Sequence, residues 1–156
     1  MWVPPEVKDP ILLHHPTRKG VGYFGAIRLR DGRLVVRQEV AQFNGQTAWA
    51  FLQHLEEQSR MADRQVIVII DNAKFHHARL HLEWREAQTD HFRLDFLPPY
   101  SPDLNPIERV WKLTRKLCIH DQYFPTLASL IDAVEAQFTA WAEPNDDLRR
   151  LCSITT

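Results

Sequence analysis

Five branched aliphatic residues in succession, Val66-Ile67-Val68-Ile69-Ile70, end on an acid, Asp71, and no other segment narrows the choice of fold as far. A run that is continuously apolar reads as a strand over residues 65–70 buried on both faces, the habit of strands in α/β sheets. In open sheets of that kind ligands gather outside the carboxyl ends of the strands, and the run places Asp71 there. An aspartate in this position also has a structural use, because its short side chain caps the loop or helix that follows.

The rest of the chain is consistent with a mixed α/β sheet flanked by helices. Residues 1–19 hold four prolines and read as an extended lead-in, with a short edge strand over residues 11–14. Val21, Tyr23, Phe24, Ala26, Ile27 and Leu29 suit a strand, and Leu34, Val35, Val36 and Val40 suit its partner. Asp31-Gly32 between them predicts a two-residue hairpin turn. Asn44 reads as the N-cap of a helix running to about Arg60, with Trp49, Phe51, Leu52 and Leu55 on one face. A helix is expected over residues 78–87, where Leu80 and Trp84 lie four apart. Alternation of Phe92, Leu94 and Phe96 with Arg93 and Asp95 predicts a strand. Two more helices follow, the first from Pro106 to Cys118. The second, over residues 126–142, is stopped by Pro144.

Composition excludes more than it assigns. The chain has 156 residues, enough for one domain burying about 70% of its unfolded surface. Its 44% hydrophobic and 25% charged content is that of a soluble globular protein. The longest apolar run falls far short of the roughly 18 residues a membrane span requires, and the start lacks the pattern of a secretory signal. Cys118 and Cys152 lack metal-site spacing and read as buried thiols in a reducing cytosol, so a cytoplasmic location is expected. A net charge of −1 argues against a surface that coats nucleic acid throughout, yet leaves room for a local basic patch.

Such a patch is available beside a second acid. Glu108 lies in the first turn of the helix opened by Pro106. Asn105, Pro106 and Glu108 together form a sequence-level capping box, which explains the glutamate without any catalysis. Lys112, four residues on, could pair with it on the helix surface. Arg109, Lys112, Arg115 and Lys116 lie off the apolar stripe and could meet phosphates, although a solvated face is the default for such a pattern. His76 and His77 are adjacent, which is poor spacing for metal ligands on one helix. Hydrogen bonding near the site or to a phosphate is the milder expectation for His76. A carboxylate at a strand end and another on a nearby helix suit divalent ions held against a phosphodiester.

Two blocks carry a resemblance. Ile70-Asp71-Asn72-Ala73-Lys74-Phe75-His76 is the first. Leu97-Pro98-Pro99-Tyr100-Ser101-Pro102-Asp103-Leu104-Asn105-Pro106-Ile107-Glu108-Arg109-Val110-Trp111 is the second and the more specific. Together they resemble the signature of DDE transposases, the DDE superfamily endonucleases of the mariner superfamily and its bacterial insertion-sequence relatives. The segment from Gly22 to Ile27 resembles an early strand of that family, and 36 residues separate Asp71 from Glu108, a spacing that agrees. The resemblance implies an RNase H-like fold, with a partial catalytic domain over residues 20–142 and a tail over 143–156. It implies three acids holding two Mg²⁺ (or Mn²⁺) ions that act on DNA, with Asp71 as the second acid and Glu108 as the third.

The chain departs from that pattern at its start. Trp2 matches a tryptophan that follows the first acid in the family, so the first, central strand is expected to be missing. Asp9, between prolines, and Asp31, in a turn, are poor substitutes. Weak Mg²⁺ binding and poor cleavage are therefore expected, with open sheet edges that invite pairing. Residues 11–14, a second copy in a homo-oligomer, or a separately encoded N-terminal transposase fragment could fill them. Three readings compete: transposase-type cleavage and strand transfer, a non-catalytic remnant that binds DNA or a partner transposase, and an unrelated metal-dependent phosphoesterase using Asp71, Glu108 and a histidine.

Overall fold

The computed structural model describes residues 11–14, 19–39, 43–61, 64–99, 101 and 104–153. Asp9 and Trp2 lie outside them. The described residues divide into two compact units, one formed by those up to Glu39 with those from Pro106 onward, the other by those from Phe43 to Asn105.

The first unit holds a three-stranded antiparallel sheet in the order β1 (Ile11–His14), β2 (Lys19–Ile27), β3 (Leu34–Glu39). β1 pairs with the start of β2, Ile11 opposite Gly22 and His14 opposite Lys19, so the edge strand expected over residues 11–14 does pair with the hairpin. The hairpin itself is wider than a two-residue turn. Arg28 donates its amide to the Arg33 carbonyl at 2.9 Å, leaving residues 29–32 as a four-residue loop closed by Gly32 at φ 77°. Asp31 is occupied there: Arg28 donates to its carboxylate at 2.8 and 2.5 Å and the Arg33 amide at 3.2 Å. That guanidinium holds the Asp31 carboxyl below its usual range.

Three helices complete the unit: α3 (Ile107–Cys118), α4 (Leu127–Trp141) and α5 (Asp146–Leu151). α3 buries Val110, Trp111, Thr114 and Cys118 along one stripe while Lys112 and Lys116 stay exposed, as a 3.6-residue period requires. Val110, Trp111 and Cys118 meet Tyr23, Val134 and Phe138 in one core. Each large apolar side chain fully buried there contributes about 1.5–3 kcal/mol. Tyr23 stands edge-on to Phe138 with ring centroids 5.0 Å apart, and its hydroxyl donates to Glu135 at 3.3 Å. Thr126 caps α4 through a reciprocal bond with Ser129. The segment read as a tail contains α5, whose Leu148 is wholly buried.

The second unit pairs β4 (Val66–Ile70) with β5 (Phe92–Phe96) in parallel, Val66 opposite Phe92 and Ile70 opposite Phe96. α1 (Gly45–Met61) opens on Asn44, whose Oδ1 accepts the amides of Gln46 and Thr47, both at 3.0 Å. One expectation fails here. β4 is not buried on both faces: Val66, Val68 and Ile70 are half-buried, whereas Ile67 and Ile69 are exposed. Among the described residues its only strand partner is β5, and the two-stranded sheet leaves one face of the run uncovered. The helix expected over 78–87 begins as a 3-10 turn, Arg79–His81, before α2 (Leu82–Ala87). Its buried residue is His81 rather than Leu80, which is exposed. No helix among the described residues is long and apolar enough to cross a membrane.

Candidate active site

Asp71 follows the last residue of β4, and the ladder continues one step past it, since Leu97 donates its amide to the Ile70 carbonyl at 2.8 Å. The Asp71 carboxylate is shaped by its own loop. Its Oδ1 accepts the Ala73 amide at 3.0 Å, which turns the chain into the 3-10 turn Lys74–His77. Both roles weighed for this aspartate thus coexist: it shapes the loop and stands, partly exposed, at the carboxyl end of the strand. His76 is buried, with Nε2 3.5 Å from Asp71 Oδ1. Burial is the main force on its imidazole, joined by repulsion from His81, His77 and Arg85, and together they lower its pKa to about 3. At neutral pH the pair is therefore a neutral imidazole beside a carboxylate rather than an ion pair.

Around it lies a cluster that sequence reasoning passed over. The Asn72 side chain donates to the Leu97 carbonyl, tying the end of β5 to the end of β4, and its Oδ1 lies 3.1 Å from His77 Nε2. The His77 ring stacks on Phe96 at 3.9 Å, while the Arg85 guanidinium sits 5.8 Å from the centroid of the same ring. Arg85 also donates to Nδ1 of the fully buried His81 at 3.0 Å. The one available signal was an amide residue directly after the strand-end acid, where it can reach across to the neighbouring strand.

Glu108 lies in the first turn of α3, in the first unit. The expected capping box is replaced: Pro106 is the residue at the N-cap, already helical at φ −59° and ψ −28°, and makes no side-chain cap. Its carbonyl accepts the Arg109 amide at 3.0 Å, which closes the first turn. The Glu108 charge favours the cationic form of the half-buried Arg115, against a larger opposing effect of burial. Of the basic residues expected to meet phosphates, Lys112 and Lys116 are exposed, and Arg109 donates through Nη1 to the carbonyls of Leu151 at 3.2 Å and Ser153 at 3.3 Å. Among the described residues no three histidines, cysteines or acids are grouped to hold a metal ion.

A mixed α/β chain with a parallel strand pair and an antiparallel hairpin sheet has the organisation of the RNase H-like fold. The sequence profile of the DDE superfamily endonucleases matches residues 1–131, and the chain belongs to that family. It is 30% identical over 107 residues to the uncharacterized protein y4pE/y4sA of Sinorhizobium fredii, a match spanning 67% of this chain and 73% of that protein. Its fold is similar to the Mos1 mariner paired end complex with Mn, with a TM-score of 0.62 at 16% identity. It is likewise similar to the Mos1 strand transfer complex, with a TM-score of 0.61 at 19% identity. Both matches cover 97% of this chain, but only 42% and 44% of those longer chains.

Proposed function

We propose that this chain takes part in transposase-type cleavage and strand transfer of DNA, with Asp71 and Glu108 as the carboxylates that hold Mg²⁺ or Mn²⁺. Membership in the DDE superfamily endonucleases carries the reading, together with the strand-end position of Asp71. Carboxylate oxygens are the donors a hard divalent ion prefers, so the residues present fit such an ion. When bound, it supplies positive charge against the phosphate and favours ionisation of an attacking oxygen. The protein's own part is to hold two carboxylates in place, Asp71 through its loop and Glu108 through the first turn of α3. Lys112, Lys116 and Arg115 attract the DNA backbone.

The 156 residues carry two of the three acids the family resemblance implies. Two carboxylates alone hold the ion weakly, and cleavage by the chain alone is poor. In the alternative reading the chain is a non-catalytic remnant that binds DNA or a partner transposase, and the same two-acid count favours it.

Manganese binding followed by electron paramagnetic resonance, with nicking of supercoiled plasmid in Mg²⁺ or Mn²⁺, tests this. Asp71→Asn and Glu108→Gln should each weaken Mn²⁺ binding, and nicking by the chain alone should stay near background. Mn²⁺ binding that neither substitution changes would remove both residues from the site. Robust nicking lost in Asp71→Ala would show instead that two acids suffice. For DNA affinity, Lys112→Ala and Lys116→Ala should each lower the salt slope by about 0.9, and an unchanged slope would take α3 off the backbone.

A further inference from the structure

The turn that presents Glu108 is bonded on both sides to one short segment far along the chain. Arg109, just after it, donates through Nη1 to the carbonyls of Leu151 and Ser153 at 3.2 and 3.3 Å. Pro106, two residues before it, accepts the thiol of the fully buried Cys152 at 3.5 Å. The segment is itself fixed to the sheet. Asn145 caps α5 by accepting the Leu148 amide at 2.8 Å, donates its own amide to Asp31 at 2.9 Å, and donates through Nδ2 to Gly32 at 2.8 Å. Leu148 anchors the middle of α5 in the core.

We infer that α5 and the two residues after it form a clasp that sets the position of the Glu108 turn, with Arg109 and Cys152 as its positioning residues. A helix of six residues has almost no stability of its own, so its order comes from the contacts it makes, and two of those flank the proposed carboxylate. The guanidinium suits its place, because unpaired carbonyls at a helix end attract a cation and a planar fork can serve two of them. Burial pushes the Cys152 thiol up to about 11, so it keeps the proton it donates. The family profile stops at residue 131, before α5 begins, so membership alone does not imply the clasp.

The functional meaning of the clasp rests on Glu108 being an ion-holding carboxylate, so its test is chosen to be independent of any ion. Amide hydrogen exchange in the full chain should show Val110 and Trp111 exchanging about tenfold faster in Arg109→Ala, the loss of roughly one to two hydrogen bonds. Amides of β3 should change by less than about twofold, because a local opening leaves the sheet closed. Cys152→Ala should act in the same direction, whereas Arg109→Lys and Cys152→Ser, which keep a donor, should restore much of the protection. Equal acceleration in α3 and β3, or none in either, overturns the clasp. If the alanine variants do not fold, the lysine and serine variants should still show a small rise confined to α3, and its absence counts equally against the proposal. Mn²⁺ binding to the wild-type chain separates the two ideas: a local exchange response without Mn²⁺ binding removes the proposed function and leaves the clasp, while Mn²⁺ binding with uniform exchange does the reverse.

Discussion

Gly25 offers the sharpest test of the packing beneath α3. It lies in β2 opposite Val36, and a Cβ built on it would stand 2.5 Å from Cζ2 of Trp111, nearer still to Cη2, and 3.5 Å from Ile107. Carbon atoms rest at about 3.5–4.0 Å, so in Gly25→Ala the indole must retreat by roughly 1 Å. Trp111 has little room to do so, being buried and set 6.0 Å from the Phe138 ring. Overpacking of this kind costs about 1–3 kcal/mol. Without the clash the sign would be opposite, because alanine in a strand loses less chain entropy than glycine and gains a fraction of a kcal/mol. At roughly 2–4 °C per kcal/mol for a chain of this size, melting followed by circular dichroism should fall by several degrees. Trp111→Leu alone should also destabilise, by opening a cavity, yet Gly25→Ala added to it should cost little or nothing. A melting temperature that holds or rises in Gly25→Ala, or costs that simply add in the double mutant, would refute the close approach.

Two further outcomes follow from the second unit. The unfolded imidazole of His76 takes a proton near pH 6.5 and the folded one only near 3, so between those values the unfolded state binds the extra proton. Stability is then full above pH 6.5 and declines as the pH falls, by about 1.4 kcal/mol per unit; His76→Gln should flatten that slope in denaturant titrations at pH 6.5 and 4.5, and an equal slope would contradict the buried, neutral histidine. At Asn72, Ala loses the bonds to Leu97 and His77 and should cost about 0.5–1.5 kcal/mol, while Asp should cost more by setting a carboxylate against the Leu97 carbonyl. If Asn72→Asp proves the milder change in urea unfolding, the bridge between the strand ends is not as described.

How far the molecule could be read from its residues depended on the range of the interaction. Asn44 announced a helix because its partners, Gln46 and Thr47, are two and three residues away. β5 was legible because alternation is a local pattern, and Asp71 because the aliphatic run before it fixes the direction of the strand. The burial of β4 was not, since a run of isoleucine and valine shows that a strand tolerates covering on both faces but not what covers it. The width of the hairpin depended on an Arg28–Arg33 pairing that Asp31-Gly32 alone does not reveal. His76 reaches Asp71 across an irregular 3-10 turn with no period to follow. α5, six residues long, is too short for a periodic signal, and the contacts that tie it to the Glu108 turn come from residues more than forty positions away.

The two cysteines have a practical consequence of their own. Both thiols are buried, and burial raises their pKa, so little thiolate forms at neutral pH. A maleimide reagent will therefore pass over Cys118 and Cys152 in the folded chain and react with a cysteine introduced at an open position such as Tyr123. Paired spin labels or fluorophores can be installed, one on each compact unit, without first stripping the native sulfhydryls and disturbing the interior they fill.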